Sequence, residues 1–255
     1  DSHCHLNFPQ FKDNLKEVVQ RALDNGVSKM LTISTKLNEI NELEKISNMY
    51  SEVYNSIGVH PHECKKYKNL SLEDLLKYTK NPKCIGIGET GLDFYYENSP
   101  KELQTKLFKI HIEAARKSLL PLIVHTRNAD IETIQILKSE MKKEKFSGLI
   151  HCFSTSQELA ESAIDLGLYI SLSGMVTFDK SHELRNIIKE LPVDRLLVET
   201  DAPYLAPVPH RGKCNEPAYV IKTAQFISNL LGISFESFAK QTTNNFYKLF
   251  TEAKQ

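Results

Sequence analysis

The sequence predicts a closed (β/α)8 TIM barrel, with residues 1–255 forming one domain. Two observations carry this expectation. Short runs rich in Val, Ile and Leu alternate with longer amphipathic segments from end to end. Eight such runs fit within 255 residues, and no linker, low-complexity tract or charge block interrupts them. Nearly continuous apolar strands are what a parallel sheet covered by helices requires. Eight of them in this length favour the closed barrel over a doubly wound open sheet, the alternative fold.

The strands are expected at "DSHCHL" (1–6), "KMLTIS" (29–34), "YNSIGVH" (54–60) and "KCIGIGE" (83–89), then at "LPLIVHT" (120–126), "GLIHCFS" (148–154), "LYISLSG" (168–174) and "RLLVETD" (195–201). Between the first two, "NLKEVVQRALDNG" places Leu15, Val18, Val19 and Ala22 on one helical face, and Gly26 ends it. "KELQTKLFKIHIEAARKS" and "SQELAESAIDLG" read as helices in the same way. After the eighth strand come a Pro-rich loop, "DAPYLAPVPHRGKCNEP", and two helices.

Composition narrows the partners. Lys+Arg and Asp+Glu balance at 32 each, so no bulk charge advertises nucleic acid or an anionic membrane. Any attraction for a polyanion must be local to a cleft. The 5 cysteines are odd in number and contain no Cys-x-x-Cys, which argues against a disulfide framework and for a reducing, cytoplasmic location. The longest apolar run, "LLPLIV" (119–124), is too short for a membrane span or a signal segment. The chain starts at Asp1 without a Met, so a few upstream residues are expected to be missing. Nothing in the pattern demands an obligatory protein partner.

Functional groups of a barrel gather at the C-terminal ends of its strands. Those ends carry His3, His5, His60, Glu89, His125 with Arg127, His151, and Glu199 with Asp201. Five of the 9 histidines therefore sit at ends placed by apolar periodicity alone, with His62 just beyond. Side chains two apart on a strand share a face, so His3 and His5 point inward together while Cys4 points out. Alone, His-x-His also suits a solvated strand end. With Glu89, His125, His151 and Asp201 on the same rim, four imidazoles and two carboxylates suit two divalent cations bridged by one carboxylate and a water.

One stretch pulls the other way. Gly86, Gly88 and Gly91 in "CIGIGETGLDFYY" have the Gly-x-Gly-x-x-Gly spacing of a dinucleotide-binding turn. Such a turn must open a helix directly and meet an acidic residue about 20 positions on. Here "LDFYYENSP" follows without helical periodicity, and His111 occupies that later position inside the next helix. The nicotinamide reading fails on context. The glycines are expected to let the chain bend tightly around Glu89.

Together "DSHCHL", "GVHPHE", "GIGETGLDFYY", "VHTRNA", "HCFS", "ETDAPYLAP" and "RGKCNEP" resemble the TatD-type metal-dependent deoxyribonucleases, TIM barrels of the amidohydrolase superfamily. The resemblance covers essentially the whole chain in order. It departs at Asn7, where an aspartate is typical, outside the ligand positions. It implies that His3, His5 and Asp201 hold one metal, that His125 and His151 hold the other, and that Glu89 bridges them. It also implies hydrolysis of DNA phosphodiesters, from a free end and on single strands, supported by magnesium, whereas imidazole-rich ligation by itself favours zinc or manganese, so the choice among magnesium, manganese and zinc stays open. A glutamate bridge, in place of a carboxylated lysine, argues against a dihydroorotase or phosphotriesterase. The alternative on the same barrel is a D-aminoacyl-tRNA deacylase or another metal-dependent esterase. A barrel that binds nucleic acid without turnover would be expected to have lost ligands, and all six are present.

In this chemistry a metal-bridged water, its pKa brought to about 7, is the nucleophile. Asp201 is expected to ligate a metal and accept the water's proton, so Glu89 and Asp201 are the catalytic candidates. His62, Arg127 and Arg211 are the candidates for phosphate, with Lys213 near Arg211. Arg127 equally suits a surface salt bridge, and one of His60 and His62 a plain loop histidine, His62 being the one expected to reach substrate. Glu199 is expected to orient a ligand, and Asn215 and Glu216 to pin their loop. Phe94, Tyr95 and Tyr96 suit either base stacking or packing of a long loop. Cys4 and Cys152 are expected to face the helices.

Overall fold

Seven parallel strands hydrogen-bond in chain order in the computed structural model, which describes residues 1–96 and 98–253. They are Met30–Thr32 (β1), Val53–Ile57 (β2), Cys84–Asp93 (β3), Leu122–Arg127 (β4), Gly148–Ile150 (β5), Tyr169–Leu172 (β6) and Leu196–Val198 (β7). The eighth member is the start of the chain. Cys4 bridges Thr32 of β1 on one side and Ala202, beyond β7, on the other, so the ring closes. This first strand is shorter than expected because the backbone leaves the sheet after His5. Leu6 N–H turns to the Thr32 hydroxyl at 3.0 Å instead of to a ladder carbonyl.

The helices are Leu15–Asp24 (α1), Ile40–Met49 (α2), Leu72–Leu76 (α3), Lys101–Ser118 (α4), Asp130–Lys143 (α5), Gln157–Asp165 (α6), His182–Glu190 (α7), Val220–Leu231 (α8) and Phe235–Leu249 (α9). One follows each strand from β1 to β6, the βα alternation expected. Among the described residues no helix is long and apolar enough to cross a membrane.

Period-two alternation sorts the core into two layers. Leu31, Ile123, Leu149 and Leu197 point into the ring, where Phe246, Leu249 and Phe250 from the end of α9 plug it. Leu122, Val124, Ile150 and Leu196 point outward and meet helix residues such as Leu107, Phe108 and Leu137. All of these are buried. Continuing the inward parity from Ile123, Leu149 and Leu197 brings His125, His151, Glu199 and Asp201 to the open end of the ring. The helical plug packs against the opposite end of the ring.

β3 is longer than expected, running past Glu89 to Asp93. Gly88 and Gly91 do not form a loop. They sit within the strand at φ of 140° and 139°, beside a register shift against β4 between Ile87 and Thr90. A Cβ on Gly88 would lie 2.6 Å from the Ile123 carbonyl oxygen, and one on Gly91 would overlap that of His125. The glycines therefore serve close approach of two strands.

Candidate metal centre

The open end of the barrel holds a cleft of about 1490 Å³, lined by His5, His60, His62, Glu89, His125, His151 and Asp201. His3 lies beneath it, fully buried. Glu89 is the hub. Its Oε2 lies 2.9 Å from His3 Nε2 and 3.2 Å from His151 Nε2, and its Oε1 lies 3.2 Å from His60 Nε2. Asp201 Oδ1 lies 3.4 Å from His5 Nε2 and 3.7 Å from His3 Nε2. Among the described residues, three sets of donor atoms converge within 4.8 Å: His3, Glu89 and His151; His3, His5 and Asp201; His60, Glu89 and His125.

Outer partners turn the histidine rings. His5 Nδ1 is 3.3 Å from the Ile33 carbonyl oxygen, which leaves Nε2 facing Asp201 Oδ1. His151 Nδ1 is 3.3 Å from Glu199 Oε1, and His125 Nε2 is 3.3 Å from Asp93 Oδ2. With both outer nitrogens donating to carboxylates, His125 Nδ1 and His151 Nε2 face each other at 3.1 Å. Two lone pairs at that distance need a proton or a cation between them. Glu89 Oε2 and both nitrogens of His3 are buried without a well-directed hydrogen bond among the described residues, despite the short His3–Glu89 approach. Buried polar atoms left this way are costly unless a ligand satisfies them. The donors are imidazole nitrogens and carboxylate oxygens, a set that fits divalent cations.

The protonation pattern agrees. Burial opposes ionisation of Glu89, but His60, His151 and His3 outweigh it and hold the carboxyl well below the usual range. Burial likewise opposes ionisation of Asp201, but the hydrogen bond from His5 and the nearby imidazoles outweigh it and hold the carboxyl below the ordinary aspartate value. Burial keeps His3 and His60 below the ordinary histidine value, hence neutral and able to ligate. Burial also disfavours charge on His151, yet Glu89 and Glu199 lift it to about 9.

Sequence reasoning missed Asp93. It is buried, and its Oδ2 lies 2.8 Å from His62 Nε2 as well as near His125, while its Oδ1 accepts the Tyr95 and Tyr96 N–H groups at 3.0 Å. Burial alone would raise its pKa, but His125, the Tyr96 N–H and His62 bring it below the ordinary aspartate value. Ending β3 at Glu89 concealed it, and its even spacing from Glu89 is the signal that was available. His60 is no plain loop histidine, since it reaches Glu89. Its ring Nδ1 also accepts the His62 N–H at 3.1 Å.

The three phosphate candidates divide. His62 and Arg127 line the cleft. The Arg127 guanidinium lies over the Tyr95 ring at 4.1 Å and the Tyr96 ring at 4.9 Å. Arg211 instead stacks on Phe178 at 3.7 Å and approaches the Ala206 carbonyl at 3.4 Å, outside the residues that line the cleft. Asn215 pins its loop as expected, donating to the Thr200 and Tyr204 carbonyls at 2.9 and 2.6 Å, and Glu216 pairs with Arg21. Cys4 is buried against the Leu31 carbonyl. Cys152 is a correction: it lines the cleft because its backbone takes a left-handed φ of 46°, which breaks the strand parity. Burial raises its thiol pKa well above the usual value, so it is not a thiolate nucleophile.

Residues 1–251 match the family described as TatD related DNase. The chain belongs to the TatD family. Among its relatives, an "uncharacterized metal-dependent hydrolase" of Buchnera aphidicola is 42% identical over 259 residues, covering 98% of each chain. A "3'-5' ssDNA/RNA exonuclease TatD" of Citrobacter koseri is 31% identical, again covering 98% of each. The crystal structure of YjjV, a TatD homologue from Escherichia coli K12, superposes with a TM-score of 0.92 at 29% identity, covering 98% of this chain and 97% of that one. The protein is thus a metal-dependent hydrolase of the TatD family with a TIM-barrel fold.

Proposed function

We propose that this TatD-family hydrolase cleaves phosphodiester bonds of DNA, working from an end of a single strand. Divalent ions drawn from magnesium, manganese and zinc, two in number, would be held by His3, His5 and Asp201 and by His125 and His151, with Glu89 as the shared ligand. The observation that carries this reading is the opposed pair of inward nitrogens on His125 and His151 beside the shared Glu89 carboxylate. The Citrobacter relative's named activity supports the substrate class. Such ions, when bound, acidify water and offset the negative charge of phosphate.

The chain's own residues do the rest. Glu89 and Asp201, both ionised at neutral pH, balance the cations, and Asp201 accepts a proton from the attacking water at its carboxylate. Glu199 and Asp93 hold the His151 and His125 rings so that their inward nitrogens keep a lone pair. His62 and Arg127 meet the phosphate oxygens from the cleft wall. The domain is the barrel as a whole, and the odd, unpaired cysteine pattern supports a cytoplasmic setting.

The test is hydrolysis of an end-labelled single-stranded DNA oligonucleotide in chelator-stripped buffer, with each metal added back, beside Glu89→Gln. Metal-restored cleavage that falls more than about a hundredfold in the variant is expected. No cleavage with any metal, by protein shown to hold two ions, would overturn the DNA reading and direct the assay to aminoacyl-tRNA esters.

A further inference from the structure

Two aromatic walls stand on opposite rims of the cleft. The first follows β3. Of the three consecutive aromatics there, Phe94 turns to the core and packs the loop down, under Lys101. Tyr95 and Tyr96 do not join it and remain 54% and 44% exposed. Their rings meet edge to face at 4.7 Å, and Tyr96 contacts the His62 ring at 5.3 Å. The second wall is Phe8, just past the first strand, and Tyr204, just past β7. Phe8 lies parallel to the His5 ring at 4.5 Å, and Tyr204 meets Phe8 edge-on at 6.1 Å with 52% of its surface exposed. In the closed ring, the first strand and β7 are neighbours, and both lie across from β3 and β4. The metal-ligating candidates occupy the floor between the walls.

Both walls are held in place. Asp93 fixes the Tyr95 and Tyr96 backbones, and buried Gln104 grips Asp93 in turn, accepting its N–H at 2.8 Å and donating to its carbonyl at 3.1 Å. Arg127 covers the tyrosine rings from β4. On the other side the Tyr204 carbonyl accepts from Asn215. Exposed rings on a pinned backbone, with a guanidinium behind the Tyr95–Tyr96 pair, are stacking platforms for flat, uncharged partners.

We propose that each wall takes one unpaired nucleobase, so that two bases flank the phosphate lying over Glu89 and the strand must be unpaired there. The inference rests on the phosphodiester reading and deepens it, naming what excludes duplex. A duplex exposes at most one face, that of its terminal pair, so two successive bases cannot each meet a ring while paired.

The experiment is equilibrium binding by fluorescence anisotropy, in calcium buffer at fixed ionic strength and with probe integrity checked on gels. Two labelled probes are compared: an oligothymidylate and an abasic strand with the same number of phosphates. The proteins are wild type, Tyr96→Ala, Tyr204→Ala and the matching Phe variants. Wild type is expected to bind the base-bearing strand at least tenfold more tightly than the abasic one. Each Ala variant should lose about tenfold for oligothymidylate alone, and each Phe variant should retain the affinity, because the ring rather than the hydroxyl stacks. Equal binding of the two strands by wild type, or equal loss of both in the Ala variants, would overturn the proposal. Failure of wild type to bind either strand would overturn the phosphodiester reading itself, and this inference with it.

Discussion

His111 of α4 is fully buried, and its two nitrogens are both committed. Nδ1 donates to the Leu107 carbonyl at 2.7 Å, and Nε2 accepts the Val59 N–H at 3.0 Å, one residue before His60. A second proton would turn the Nε2 acceptor into a donor facing a donor. Burial accordingly lowers its pKa from 6.5 to about 4. The unfolded chain takes up a proton near pH 6.5 and the folded one only near 4. The stabilisation from neutral His111 is therefore complete above 6.5 and lost as pH falls through that window. At 1.36 kcal/mol per pKa unit the full loss is about 3.4 kcal/mol, of which about 2 kcal/mol has gone by pH 5. Replacing His111 with Gln removes the titration while keeping polar atoms for hydrogen bonding. Urea unfolding of both proteins in chelator, at pH 7.5 and pH 5, reads the difference, since the candidate metal-site histidines are common to both. The wild type should lose about 2 kcal/mol more than His111→Gln on acidification. Parallel losses would refute the assignment of a neutral, anchoring His111.

Two other perturbations probe how the site is built. Asp93→Asn removes the charge that orients His125 and His62, and should weaken metal binding about 10–100-fold in a calorimetric titration; wild-type affinity would show that those rings hold themselves. Gly91→Ala forces a Cβ onto the His125 carbonyl at a φ that side chains avoid, and should cost about 3 kcal/mol or more in urea unfolding. An unchanged midpoint would mean that β3 and β4 can separate there.

Much of this site was legible in the sequence because parity along a strand is a local property. Once Ile123, Leu149 and Leu197 are recognised as barrel-interior residues, His125, His151, Glu199 and Asp201 must point the same way. No contact needs to be known for that, only a period of two and an apolar run. The helices were legible for the same reason, and "KELQTKLFKIHIEAARKS" coincides with α4 from end to end.

What only the tertiary structure decided lies where periodicity stops or strands meet. The glycines of "GIGETG" read as a bend in one chain, but the close partner that requires them is β4, more than 30 residues away. With β3 extended past them, Asp93 reaches the rings of His62 and His125, which the chain order separates from it by 31 and 32 positions. Cys152 escapes the parity rule through one left-handed backbone angle. Arg127 and Arg211 carry the charge that phosphate binding needs, yet a flexible side chain goes where its neighbours let it. Arg127 found two tyrosines at the cleft and Arg211 a phenylalanine outside it. Local chemistry determined which residues form the floor of the site, and long-range packing decided what surrounds it.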